Sequence, residues 1–184
     1  MTILTRSLTL EAFLQQPETD PPSEYIDGQI SPKPMPKGRH SRLQGKLGGA
    51  INASAEELRL AYAFPELRCN FGGRSIIPDL AIFDWNRIPR TPTGTVPDDF
   101  DLAPDWIIEI LSPKQQTNKV LDNILHCLQH GCQLGWFLEP DDESILLLLP
   151  EQAPRLYRGN TTLPVFLNLR LELSPAQIFG WLAL

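Results

Sequence analysis

Residues 106–113 read WIIEILSP, a run in which Glu109 is the one charged side chain among large apolar residues. Apolar character without alternation predicts a strand over 106–111 covered on both faces, the kind found in sheets sandwiched between helices. A carboxylate at that depth is costly unless a cation or hydrogen-bond donors meet it. Working outward toward the C-terminus, a helix is expected over 115–129, with Val120, Leu121, Ile124, Leu125 and Leu128 as its core stripe and Gly131 able to end it. Strands over 134–138 and 144–149 follow, joined by an acidic turn over 139–143. Residues 167–173 are expected to add a last strand. Ser174-Pro175 then opens a helix running through Leu184, with serine as N-cap and proline at the first helical position.

Toward the N-terminus, residues 76–83 (IIPDLAIF) repeat the pattern, with Asp79 as a lone acid among apolar residues and one proline. The segments 62–64, 66–71 and 75–83 read as strands of a β-meander, with Gly72-Gly73 turning the chain between the second and third. Residues 86–105 are proline-rich and without period, so a long irregular loop is expected there. Before the meander, Leu43, Leu47, Ala50, Ile51, Ser54 and Leu58 recur at spacings of three and four, predicting an amphipathic helix over about 40–60. Asp27-Gly28 sits between two short β-prone stretches as the turn of a hairpin. Pro32, Pro34 and Pro36 force an extended connection after it. Thr9 can cap a short first helix over 10–16. The resulting fold class is α/β, a mixed sheet flanked by helices, in one domain over residues 1–184.

The chain carries 42% hydrophobic and 21% charged residues, as ordinary globular proteins do. No apolar run approaches the roughly 20 residues that cross a bilayer, and no cleavable leader is visible, so a cytoplasmic protein without membrane contact is expected. Cys69, Cys127 and Cys132 are odd in number and lack CxxC spacing, and they read as buried thiols. A net charge of −6 argues against coating nucleic acid by bulk charge. The distribution is uneven, however. Between Asp27 and Glu56 there is no acidic residue, while Lys33, Lys37, Arg39, His40, Arg42 and Lys46 fall in that interval, so one surface is expected to be basic.

Two lone acids in apolar strands suggest one shared cation. If the strands are neighbours, Asp79 and Glu109 can converge on Mg²⁺, which prefers oxygen ligands and keeps waters for a reacting phosphate. The bland reading is that each acid pairs separately with an arginine or lysine, or caps a strand end. His126 and His130 have a helical i, i+4 spacing but lack the glutamate of an HExxH motif and further ligands, which leaves them as rim or solvent-facing residues. Ser112 reads as a helix cap, with no Ser-His-Asp arrangement about it.

Taken in order, Pro78-Asp79, Glu109-Ile110-Leu111-Ser112-Pro113, a helix, and Leu134-Gly135-Trp136-Phe137-Leu138-Glu139-Pro140 resemble the Uma2-type (DUF820) family of the PD-(D/E)XK nuclease superfamily. The opening Glu24-Tyr25-Ile26-Asp27-Gly28 resembles that family's hairpin, and His40 resembles the histidine that starts its first long helix. The resemblance implies a restriction-endonuclease-like core and a DNA-cutting endonuclease that uses Mg²⁺ or Mn²⁺. It carries the metal-binding and catalytic roles onto Asp79 and Glu109, with the Ile110 carbonyl completing the metal shell and Glu24 as a third acid. The alternative for Glu24 is an ion pair across its hairpin. Arg39, His40 and Arg42 are candidate phosphate contacts, and a homodimer is the expected assembly.

The sequence departs from the pattern at the lysines. The superfamily's lysine falls on Leu111, and the family's helix lysine and following tyrosine fall on Asn123 and Cys127. Lys119, one turn before Asn123, and Lys114 are the candidates to supply the absent charge. Two further readings therefore stand beside the nuclease: a nucleic-acid-binding module that has lost catalysis, and a small-molecule hydrolase or structural dimer keeping only the scaffold.

Overall fold

The computed structural model describes residues 8–166 and 169–184. Thr9 accepts from the Ala12 amide and starts α1 (Leu10–Leu14). The hairpin of β1 (Ser23–Ile26) and β2 (Gln29–Pro32) turns on Asp27 and Gly28, both at positive φ (51° and 83°), as a two-residue turn matched to strand twist requires. α2 (Gly38–Ala55) follows, then β3 (Ala61–Pro65), β4 (Cys69–Phe71), β5 (Arg74–Ile76) and β6 (Leu80–Asp84). The second half holds β7 (Trp106–Ile110), α3 (Thr117–Gln129), β8 (Leu134–Glu139), β9 (Ser144–Leu148), β10 (Arg155–Tyr157) and α4 (Pro175–Gly180).

Among the described residues the strands form two sheets, ordered β2-β1-β5-β4 and β10-β9-β8-β7-β6-β3. In the larger sheet β7 and β8 are parallel, joined through α3, and the other pairings are antiparallel. Its two faces are both covered. Leu43, Leu47 and Ile51 of α2 share one cluster with Trp106, Ile108 and Ile110 of β7, and Val120 and Ile124 of α3 share the other with Ile107. The period-two alternation of β7 therefore puts Glu109 on the α3 side. Gly135 of β8 lets α3 approach closely, since a Cβ there would lie 2.4 Å from Ile124 Cγ2.

Several expectations are corrected. Only part of the predicted meander forms: β4 and β5 pair across Gly72-Gly73 as expected, but they join the hairpin in the smaller sheet, while β3 pairs with β6. The expected strand over 75–83 breaks at Ile77-Pro78-Asp79, where the chain crosses from one sheet to the other. Pro78 has no amide to give a ladder, and the Ile77 amide goes to Glu24 Oε1 instead (2.8 Å). α2 ends at Ala55 because Arg59 takes positive φ and Leu60 N closes onto Ala55 O (3.0 Å), leaving Leu58 exposed. In α3 the expected Val120, Leu121, Ile124 and Leu128 pack on the core, joined there by Asn123, His126 and Cys127, whereas Leu125 faces solvent. The last expected strand begins at residues 167 and 168, outside the described residues, and 169–173 are irregular. The short edge strand β10 was not predicted, having neither alternation nor burial to mark it. α4 stops at Gly180, with Ser174 and Gln177 forming a reciprocal capping box. No described helix is long and apolar enough to cross a membrane.

Candidate active site

The crossing between the sheets is what assembles the site. Pro78 leads into Asp79 at the mouth of β6, and β6 lies beside β7 with Leu80 opposite Ile108. Asp79 Oδ2 accepts from the Ile110 amide at 2.8 Å, so the aspartate is pinned next to Glu109. Its backbone is held as well, the Asp79 carbonyl accepting from Gln44 Nε2 of α2 at 2.8 Å. The smaller sheet contributes from the other side. Tyr25 pairs with Ser75, which sets Glu24 against the Ile77 amide, and the chain leaving β2 carries Lys33 inward.

Lys33 Nζ donates to Asp79 Oδ1 at 2.7 Å and also to the Ile77 carbonyl. His40, in the first turn of α2, brings Nε2 to 3.3 Å from the same Asp79 oxygen, off the line of a proper hydrogen bond. Its Nδ1 meets Ser112 Oγ at 3.0 Å. From α3, Asn123 Nδ2 reaches Glu24 Oε1 at 3.4 Å and Glu109 Oε1 at 3.5 Å, spanning the two glutamates with long contacts. Asp79, Glu109, Asn123 and His40 are all buried.

Burial raises the proton affinity of every acid in this pit, and the neighbours decide which ones stay ionised. At Asp79 the burial effect is overridden by the Lys33 charge and by His40, which hold the carboxyl well below the usual carboxylate range. At Glu109 burial is reinforced by the Asp79 charge and only partly offset by Lys33, so its carboxyl is pushed well above the ordinary value. Glu24 is raised by burial against the opposing pull of Lys33 and the Ile77 amide. Burial by itself would lower Lys33, but Asp79, Glu109 and Glu24 together hold its ammonium above the ordinary lysine range.

Sequence reasoning named Asp79, Glu109 and Glu24, and the fold brings all three to one place. Ile110 is there through its amide. Lys119 and Lys114 line the mouth of the adjoining cleft, about 220 Å³, which Glu24, Lys33, Glu109 and Asn123 also line. The remaining candidates diverge. Arg39 is a surface residue paired with Asp141 (2.7 Å) and the Pro140 carbonyl, and Arg42 donates to the Trp181 carbonyl beside α4. Lys33 was missed as a site residue, as was Gln44. The one sequence signal for Lys33 was its place between Pro32 and Pro34 directly after the hairpin, and only the sheet crossing turns it inward. His126 stacks on Phe71 with ring centroids 4.8 Å apart and contacts the Phe71 carbonyl through Nε2 at 3.1 Å, a packing role.

Among the described residues no three His, Cys, Asp or Glu side chains form a ready-made metal cage. The donor chemistry nonetheless suits a hard divalent cation. The donors are carboxylate oxygens, they outnumber the single ammonium among them, and Glu109 has only a 3.5 Å side-chain contact to satisfy it.

Comparison with known proteins agrees in sequence and in shape. The profile of the Uma2 family, described as "Putative restriction endonuclease", matches residues 10–178. A crystal structure from Anabaena variabilis ATCC 29413, described as "a putative nuclease belonging to DUF820", superposes with a TM-score of 0.92 at 46% identity, covering 95% of this chain and 98% of that one. No curated protein matches the chain.

Proposed function

Since this chain belongs to the Uma2 family, we propose that it is an endonuclease that hydrolyses DNA phosphodiester bonds with Mg²⁺ or Mn²⁺ held by Asp79, Glu109 and the Ile110 carbonyl. The observation that carries this reading is the gathering of three acids, two of them buried, around one half-buried lysine that pairs with Asp79 beside an open cleft. Three acids gathered at this depth do not serve stability, because each must either ionise against the cost of burial or hold a proton above its ordinary range, as Glu109 and Glu24 do.

When bound, the cation supplies Lewis-acid polarisation of the phosphate and a lower pKa for an attacking water. The protein's own groups do the rest. The Ile110 amide and Lys33 fix the Asp79 carboxylate from both sides, and the 2.7 Å ion pair keeps it ionised. Lys33 stays protonated and lines the cleft, where its ammonium can offset the negative charge that grows on a phosphate in the transition state. Lys33 thus supplies, from a different element, the charge that is absent at Leu111 and Asn123. Asn123 orients the carboxylates of Glu24 and Glu109. Lys119 at the rim draws the backbone phosphate in.

A second reading, a DNA-binding module without catalysis, draws on the fact that both Asp79 oxygens already have donors. Plasmid nicking with Mg²⁺ or Mn²⁺ separates the two. Wild type should nick, Asp79→Ala and Glu109→Ala should not, and Lys33→Met should lose about 10²–10³ in rate. Equal activity in all of them would sink the catalytic assignment, and salt-dependent binding without nicking would favour the module. A homodimer presenting two centres to the two strands belongs to the same proposal, and sedimentation velocity tests it.

A further inference from the structure

A second cavity, about 340 Å³, opens on the far side of Ser112 and shares the Lys114-Gln115 wall with the cleft at Glu24 and Glu109. Lys37 and Arg39 stand at its α2 side, and His40 joins its floor to Asp79 through the contacts already described. Its opposite wall carries Glu139 and Asp141, but both acids have partners: Asp141 pairs with Arg39, and Glu139 Oε1 accepts the Asp141 amide at 3.3 Å. Among the described residues neither Lys37 nor Lys114 has an ion-pair partner. Both are exposed. Lys114 is also held at φ 72°, a conformation that costs any residue with a side chain and that glycine adopts freely.

We propose that this second cavity seats the phosphate next to the one undergoing reaction, so that one strand of a nucleic acid crosses the Lys114 partition, with Lys114 and Lys37 as its contacts. The proposal rests on the nucleic-acid reading above and adds to it the path of the strand and the residues that hold it. Neither lysine touches Asp79, Glu24 or Glu109, so both act by binding and positioning.

The test is binding without chemistry: anisotropy of a short fluorescein-labelled DNA duplex in EDTA, across a salt series. Lys114→Gly is the informative variant, because glycine suits the positive φ and the fold should be retained or strengthened on melting. It should bind several-fold more weakly than wild type, with the slope of log affinity against log salt reduced by about one, and addition of Lys37→Ala should remove about one more. Lys46→Ala, on the same helix as Lys37 but lining neither cavity, should bind like wild type. Unchanged affinity and slope in Lys114→Gly and Lys37→Ala would overturn the proposal, and so would an equal loss in Lys46→Ala, which would assign the effect to bulk charge. Failure of the wild type to bind at all would overturn the nucleic-acid reading itself.

Discussion

Asp79 and Glu109 are both buried acids in the same pit, and they should answer to neutralisation with opposite signs. Asp79 is the counter-ion of Lys33, whose side chain is 12% exposed, and it also satisfies the Ile110 amide. Asp79→Asn therefore strands a buried ammonium, and a loss of about 3–5 kcal/mol in denaturant unfolding is expected. Glu109 is different. Its folded-state carboxyl holds its proton to higher pH than in the unfolded chain, so stability is greatest below the unfolded value and falls as pH rises toward the folded one. Glu109→Gln removes that loss, and in metal-free buffer near neutral pH its Tm should equal or exceed that of wild type. A site residue whose neutralisation stabilises the fold is one that function, not folding, retains.

At the level of elements, β3 is an outer strand of the larger sheet, yet its outward peptide is not open to another chain. Asn52 of α2 donates to the Ala63 carbonyl (3.1 Å) and accepts from the Ala63 amide (2.7 Å), doing with one side chain what a neighbouring strand would do. Asn52→Ala should cost about 1–3 kcal/mol of stability by leaving both backbone groups unpaired. It should also raise self-association on size-exclusion chromatography, since the freed edge can pair. The pairing of β3 with β6 was not readable from the sequence, because strand segments show their own alternation and not which partner they meet. β7 and α3 were readable, since an unbroken apolar run and a three-four periodicity are local properties. Of the expected α3 stripe, Val120, Leu121, Ile124 and Leu128 do face the core; Leu125 is left in solvent, and Asn123 turns inward to reach the glutamates.

For the whole molecule, the proposed cation site predicts that a divalent ion raises stability, because an ion bound by the folded state alone shifts the folding equilibrium. A divalent ion at about 100 times its dissociation constant adds about 2.7 kcal/mol to the folded state, roughly 5–10 °C in Tm for a chain of this size. Differential scanning fluorimetry should show that rise with Mg²⁺ or Mn²⁺ in wild type, its reversal by EDTA, and its absence in Glu109→Gln. A rise of equal size in the variant would place the ion elsewhere.

Asp79 and Glu109 stood out in the sequence because a lone carboxylate in an apolar run is a physical anomaly that needs no knowledge of the fold. The hairpin at Asp27-Gly28, β7, α3 and the capped α4 were determined the same way, each by chemistry contained within a few residues. Lys33 could not be found so. Nothing within its own segment distinguishes an inward lysine from a solvated one, and its partner is 46 positions away. Only the crossing at Ile77-Pro78-Asp79, which sends β5 and β6 into different sheets, brings the hairpin's lysine to the aspartate. Which acids were anomalous was a local fact; that they converge, and that Lys33 meets them, was decided by tertiary structure, because a charge cluster depends on distance in space and not on distance along the chain.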